Sequence, residues 1–294
     1  ADGGRIGYAV DLPPLKHGAV EPYRVRAAED SDLGFIAELA AAARGRSLVT
    51  CQRQAEHWQY ELDGHGEWNM ARRQLYLVET QSGERTGFLA RIPFRPSRQT
   101  SRLIVTQFEL KQGTPWRVAT LSTLRSLIDA NPEALEAGDS RPIETYSLGL
   151  GSDHPVYHAI PNHLARVVAA RAWYVRVLDV RRFLLHIKTV LEDRLAASNE
   201  AGFSGELKLN FYRYGLQLSF GDGHLAIVEP WPDPDYRGAD ASLPDLTFLQ
   251  LLFGHRSLAD LEYAFADCQA FTEKGRVLLP ILFPTRPSHI WQKS

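Results

Sequence analysis

Apolar and polar residues alternate from Leu103 to Leu110, as in a half-buried strand. Ile104, Thr106, Phe108 and Leu110 fall on one face, and Leu103, Val105, Gln107 and Glu109 on the other. After the loop Lys111-Gln112-Gly113-Thr114-Pro115 the period changes. From Trp116 to Ile128, Val118, Leu121, Leu124 and Ile128 recur at helical spacing.

The same patterning predicts the rest of the first half. Ile6 to Val10 reads as a strand with no local partner, followed by a Pro- and Gly-containing linker to about residue 20. Tyr23 to Arg26 reads as a strand. Asp30 or Ser31 caps a helix whose buried stripe is Leu33, Ile36, Leu39 and Ala40. A second helix covers Gln52 to Leu62. Gln74 to Thr80 and Thr86 to Ile92 form a hairpin around Gln81-Ser82-Gly83. After the pivotal strand and helix come a strand at Ile143 to Leu150, a short helix at Pro155 to Ile160 and a strand at Ala172 to Val177.

A second pattern begins at Asp179, a helix N-cap. Its helix runs to Ser198 with Leu184, Ile187, Leu191 and Leu195 on one face. A three-stranded meander follows, with Leu207, Leu209 and Phe211, then Leu216, Leu218 and Phe220, pointing inward. Gly221-Asp222-Gly223 turns into Leu225 to Glu229. Pro244 to Phe253 is a helix closed by Gly254, Ser257 and Asp260 form a capping box, and Pro280 kinks or shortens a last helix at Val277 to Phe283.

Composition narrows the classes. A chain of 294 residues, 44% hydrophobic and 23% charged, is long enough for two cores. A formal net charge of −2 argues against nucleic acid or an anionic membrane as partner. No apolar run approaches the roughly 20 residues of a membrane span. Cys51 and Cys268 lie far apart and are read as free thiols in a reducing, cytoplasmic compartment. The start has no signal-peptide pattern and no Met, so the chain is read as processed or a fragment.

A strand feeding a helix through a tight loop is a common phosphate cradle, because the helix N-terminus offers backbone N–H groups and a positive dipole end. Pro115 has no N–H, its ring occupies the space a phosphate needs, and Trp116 adds bulk beside it.

The element order β-α-α-β-β-β-α-β-α-β resembles that of the GNAT acyltransferase superfamily. The second half resembles a sterol-carrier-protein-like module. Together they resemble the Eis-type acetyltransferases, which carry an active GNAT domain, a degenerate one and a sterol-carrier-like domain. The segments Pro244-Asp245-Leu246-Thr247-Phe248-Leu249-Gln250-Leu251-Leu252-Phe253-Gly254, Leu282-Phe283-Pro284 and Pro287-Ser288-His289-Ile290-Trp291 carry the likeness. So does Gly7-Tyr8-Ala9-Val10-Asp11-Leu12, which resembles the tail of a first GNAT domain.

The resemblance implies an α+β chain in three parts. Residues 1–20 are a linker or remnant of a preceding GNAT domain, 21–178 a degenerate GNAT-like domain with a mixed sheet and flanking helices, and 179–294 the sterol-carrier-like domain. The family's acetyl-CoA motif, Arg or Gln-x-x-Gly-x-Gly or Ala, fails at Pro115 in both registers, from Gln112 and through Gly113. No cofactor is therefore expected in this chain, with acetyl-CoA assigned to the parent's first domain. The family also places its catalytic tyrosine in that first domain and its C-terminal carboxylate in the first domain's active site, a role that would fall to Ser294. The implied function is the non-catalytic portion of an N-acetyltransferase acting on amines, partnered by a preceding GNAT domain and by further copies of itself. The alternative is a stand-alone module holding an apolar ligand against Leu246, Leu249, Leu252 and Phe253.

Other constellations are outweighed by plainer readings. His154, His158 and His163 have zinc-like spacing but no fourth ligand, so surface histidines are favoured and no metal is expected. Gly149-Leu150-Gly151-Ser152 breaks the dinucleotide pattern at His154 and reads as a polar turn. Ser204 precedes a strand, unlike an elbow nucleophile. Asp63 and Glu67 beside His65 and Trp68 read as solvated charges. Trp58, Tyr60, Trp116, Trp173, Trp231 and Trp291 read as core and interface residues, with Trp231 and Tyr236 marking an inter-domain or inter-subunit contact.

Overall fold

The computed structural model describes residues 3–93, 102–129, 142–170, 174–231 and 236–290. Two compact units emerge: Ala1–Ala172 together with Pro287–Ser294, and Trp173–Arg286. The expected boundary at 178/179 thus falls six residues earlier, and residues 287–290 group with the first unit.

The first unit is a seven-stranded mixed sheet. Its strands are β1 (Gly4–Tyr8), β2 (Tyr23–Ala27), β3 (Gln74–Thr80), β4 (Arg85–Arg91), β5 (Arg102–Leu110), β6 (Thr145–Leu148) and β7 (Arg166–Val168), in the order β2-β3-β4-β5-β6-β1-β7. Among the described strands of this sheet, only β5 and β6 pair parallel. Helices α1 (Leu33–Ala43) and α2 (Ala55–Gln59) cover one face, where Ile36 and Trp58 meet Leu75, Leu77, Phe88 and Ala90. Helices α3 (Trp116–Asp129) and α4 (Pro155–Ala159) cover the other, with Leu121, Leu124 and Val156 against Val78, Leu89, Leu103 and Phe108. Two covered faces explain why β4 is buried nearly end to end instead of alternating.

Several expectations are corrected. The strand expected at Ile6 to Val10 is present two residues earlier, at Gly4–Tyr8, and its partners are distant: it inserts between β6 and β7, antiparallel to both. The strand expected at 172–177 lies partly outside the described residues, and Tyr174–Val177 is not a strand. The edge position is taken by Arg166–Val168. The helix cap is not Asp30 or Ser31. Glu29 and Asp32 form the box, and buried Asp32 is held by Arg26 and Arg85. On α3, Val118 is exposed, and the buried face is centred on Ala119, Leu121, Leu124 and Leu127.

The alternation predicted for β5 is broken in the middle. Ala90 pairs with Gln107 but Arg91 pairs with Val105, so Thr106 is an extra residue, a β-bulge. Before it Leu103 and Val105 face the α3 core. After it Phe108 and Leu110 do. Gln107 and Glu109 consequently leave that core.

The second unit is a five-stranded sheet of β8 (Gly205–Asn210), β9 (Gly215–Gly221), β10 (His224–Trp231), β11 (Ala241–Ser242) and β12 (Gln269–Ala270), ordered β10-β9-β8-β11-β12. Leu207, Leu209, Leu216, Leu218 and Phe220 are buried as the meander pattern requires. They form one core with α5 (Val180–His186), α6 (Lys188–Ala196), α7 (Asp245–Leu252), α8 (Leu258–Ala264) and α9 (Glu273–Leu282). Asp179 caps as expected, accepting from Arg182 N at 2.9 Å, but the long helix breaks at Ile187. Ser257 and Asp260 make the box, and Gly254 takes φ 62°. The last helix starts at Glu273 and runs through Pro280, four residues earlier than the apolar pattern suggested.

The insertion of β1 depends on Gly7, where a Cβ would strike His163 O and the Tyr146 ring. We expect Gly7→Val to destabilise the protein by about 3 kcal/mol, the upper end for overpacking. Urea denaturation measures it, and an unchanged midpoint would contradict β1's place in the sheet.

Candidate functional site

β5 and β6 pair only from Arg102 to Val105, with a last bond from Gly149 N to Val105 O at 2.8 Å. Beyond the bulge, β5 has no neighbour strand on that edge among the described residues, and the sheet splits there. Tyr157 stitches the chain leaving β6. Its hydroxyl donates to Leu148 O at 2.8 Å and accepts from Leu150 N at 3.1 Å. Burial pushes that hydroxyl up to about 12.

The turn after β6 brings His154 to the open edge of β5. Its ring is edge-on to Trp116 at 5.3 Å, and Trp116 is edge-on to Phe108 at 5.8 Å. The indole at the start of α3 therefore fills part of the split. His154 is 5% exposed, which corrects the surface reading of this histidine.

On the other side, the 3-10 turn Arg44–Arg46 that ends α1 carries Arg46 to Glu109. Arg46 Nη2 donates to both Glu109 oxygens, at 2.5 and 2.7 Å. His154 Nε2 stands 3.7 Å from Glu109 Oε1. Burial opposes the Glu109 charge, but the neighbouring His154 and Arg46 outweigh it and hold the carboxyl below its usual range. His154 is shifted down as well: burial disfavours the imidazolium more than Glu109 favours it. Glu109 is thus paired with Arg46 and faced by the buried His154 ring.

These residues line a cleft of about 70 Å³ with Ala37, Ala40, Cys51 and Gln107. The chain's C-terminal segment forms one wall. Leu48 N donates to Pro287 O at 2.8 Å, Val49 N to Ser288 Oγ at 3.2 Å, and His289 N to Val49 O at 2.9 Å. At one end Arg53 lies over the Trp58 ring at 5.1 Å and meets Glu61 at 3.4 Å, and His65 reaches Glu61 at 3.5 Å.

The three spaced histidines do not converge. His154 Nδ1 accepts from Val156 N, His158 pairs with Asp153 at 3.0 Å, and His163 Nδ1 sits 2.9 Å from Asp11 O. No group of three His, Cys, Asp or Glu residues among those described is placed to hold a metal ion. Ser204 accepts from Asp222 N in a turn. His65 belongs with Glu61, while Asp63 takes Gln59 and Trp68 is exposed. Trp231 packs over Gly215 and Gly238 inside the second unit. Trp173, Trp291, the Tyr236 side chain and Ser294 lie outside the described residues. Cys268 is buried and Cys51 partly so, both free.

Arg46, Glu109 and Gln107 were not legible as a site. The available signal was two polar side chains, Gln107 and Glu109, near the end of an otherwise apolar strand, since a charge there requires a partner.

The mixed sheet with helices on both faces matches a GNAT-like fold. A GCN5-related N-acetyltransferase from Anabaena variabilis superposes with a TM-score of 0.60 at 14% identity, covering 99% of this chain and 67% of that one. A probable N-acyltransferase from Enterococcus faecalis gives 0.59 at 10% identity, covering 99% and 66%. Eis1 from Mycobacterium abscessus gives 0.52 at 14% identity, covering 100% and 68%. The chain spans about two thirds of the length of each. No family model and no curated protein matches the sequence. No helix among the described residues is long and apolar enough to cross a membrane.

The ring of His154 should titrate below the ordinary 6.5 in an NMR pH titration, and Glu109→Gln should lower it further by removing the charge that favours the imidazolium. The unfolded chain takes this proton first. The ring's contribution to stability is therefore whole above about pH 6.5 and is lost as pH falls toward the folded value. Titration at or above 6.5 would contradict the burial argument.

Proposed function

We propose that this chain is the non-catalytic portion of a GNAT-family, acetyl-CoA-dependent N-acetyltransferase acting on amines. Its first unit is a GNAT-like domain that does not hold the cofactor and instead shapes the acceptor site and the contacts of the parent protein. The partners are a preceding GNAT domain and further copies of the chain, with the second unit as a sterol-carrier-like module.

One observation carries this reading. A GNAT-like split is present, and the helix that opens beside it begins with Pro115 and Trp116. Pro115 removes one of the backbone donors that a pyrophosphate would use. The indole of Trp116 lies against Phe108 and His154, where β5 and β6 part. The partial coverage of the three structural neighbours, two of which are an N-acetyltransferase and a probable N-acyltransferase, is in keeping with a further domain in the parent. The apolar-ligand alternative draws no support from its stripe: Leu249 and Leu252 are buried in the second core, and Leu246 is 48% exposed.

Isothermal titration of acetyl-CoA into the 294-residue chain should give no saturable heat up to about 1 mM ligand, a Kd weaker than −4 kcal/mol would allow. Micromolar binding would overturn the reading.

A further inference from the structure

The cleft of the first unit is lined by three guanidiniums, those of Arg44, Arg46 and Arg53, and by two carboxylates, those of Glu109 and Asp153. Glu109 takes Arg46, Glu61 meets Arg53 at 3.4 Å, and His158 occupies Asp153 at 3.0 Å. Arg44 is left over. It is half-buried, its Nε donates to Ala41 O at 3.4 Å, and no carboxylate among the described residues pairs with it. A guanidinium stays charged and offers a planar fork of donors, so a lining arginine without an acid is a place for an anion.

A second observation agrees in sign. Val156 N donates to His154 Nδ1 at 3.3 Å, which leaves the ring's hydrogen on Nε2. This buried Nε2 lines the same cleft and has no hydrogen-bond partner among the described residues, since Glu109 Oε1 at 3.7 Å is beyond reach. A buried donor left unmade is unfavourable, and an anion raises the supply of acceptors. The Gln107 amide also lines the cleft, but a half-turn exchanges its oxygen for its NH₂, so it does not set the sign of the occupant.

The walls then select the kind of anion. Ala37, Ala40 and Phe88 are apolar, and about 70 Å³ admits only a few non-hydrogen atoms. One uncompensated guanidinium matches a single negative charge. A phosphate carries more than one and has no alkyl group for the apolar wall. We propose that this cleft binds a short-chain monocarboxylate, with its carboxylate on the Arg44 guanidinium and its alkyl group against Ala37, Ala40 and Phe88. The inference rests on the cleft alone and stands whether or not the chain belongs to an acyltransferase.

The test is an NMR titration of the full chain, labelled uniformly with ¹⁵N, with propionate, inorganic phosphate, N-methylacetamide and methylammonium in turn. Propionate should shift the Arg44 Nε–Hε signal and the backbone amides of Arg46 and Gln107 saturably, with a Kd in the millimolar range, the scale open to so small a ligand. Each of the other three should bind more weakly by about tenfold or more, and Arg44→Gln should weaken propionate by about tenfold, the worth of one charge-assisted hydrogen bond. Arg44→Lys keeps the charge without the fork and should fall between Arg44→Gln and the unchanged protein. The proposal fails if propionate gives no saturable shift, or if phosphate, the amide or the ammonium binds as tightly. It fails equally if Arg44→Gln leaves the affinity for propionate unchanged.

Discussion

Thr106 is one residue too many for the strand it sits in, and much of the first unit is arranged around that excess. At the same point the parallel neighbour β6 turns away, leaving the far half of β5 with an open edge. A bulge shifts the pleat by one. It lets Leu103 and Val105 share a core with Phe108 and Leu110, and it turns Gln107 and Glu109 toward α1. Without the extra residue, a strand of strict period two would drive either apolar side chains into the cleft or polar ones into the α3 core.

A carboxylate so placed needs compensation, and the structure provides it from far along the chain. Arg46 lies sixty-three residues before Glu109 and His154 follows well after it. Several other buried charges are paired in the same way. Glu79 and Asp32 share Arg26, and Arg125 clasps Glu21. In the second unit Asp240 takes the Lys208 amide, the Thr272 hydroxyl and the Lys274 ammonium. Pairs of this kind add little net stability but are costly to break, so they fix which segments lie together more than how firmly.

The loop at Pro115 and the ring of Trp116 lie next to the lined cleft, with Phe108 and His154 shared between them. This scaffold has no amide hydrogen at Pro115 and an indole at the head of α3, and it has a lined cleft on the α1 side. The two features are separable, because the first depends on helix-terminus amides and the second on strand and turn side chains.

The sequence by itself determined the elements with strong periodicity and local closure. The hairpin of β3 and β4, the meander, the Asp179 cap, the Ser257 box and the Gly254 stop follow from side-chain period or from hydrogen bonds within a few residues. Tertiary structure alone decided what depends on distant partners. The home of β1, the bulge at Thr106, the burial of His154, the passage of α9 through Pro280 and the return of Pro287–His289 to the first unit are of this kind. Local pattern records which face of a segment is apolar, but not which surface will cover it. That choice is made when segments far apart in sequence compete to bury the same apolar face and satisfy the same backbone edges.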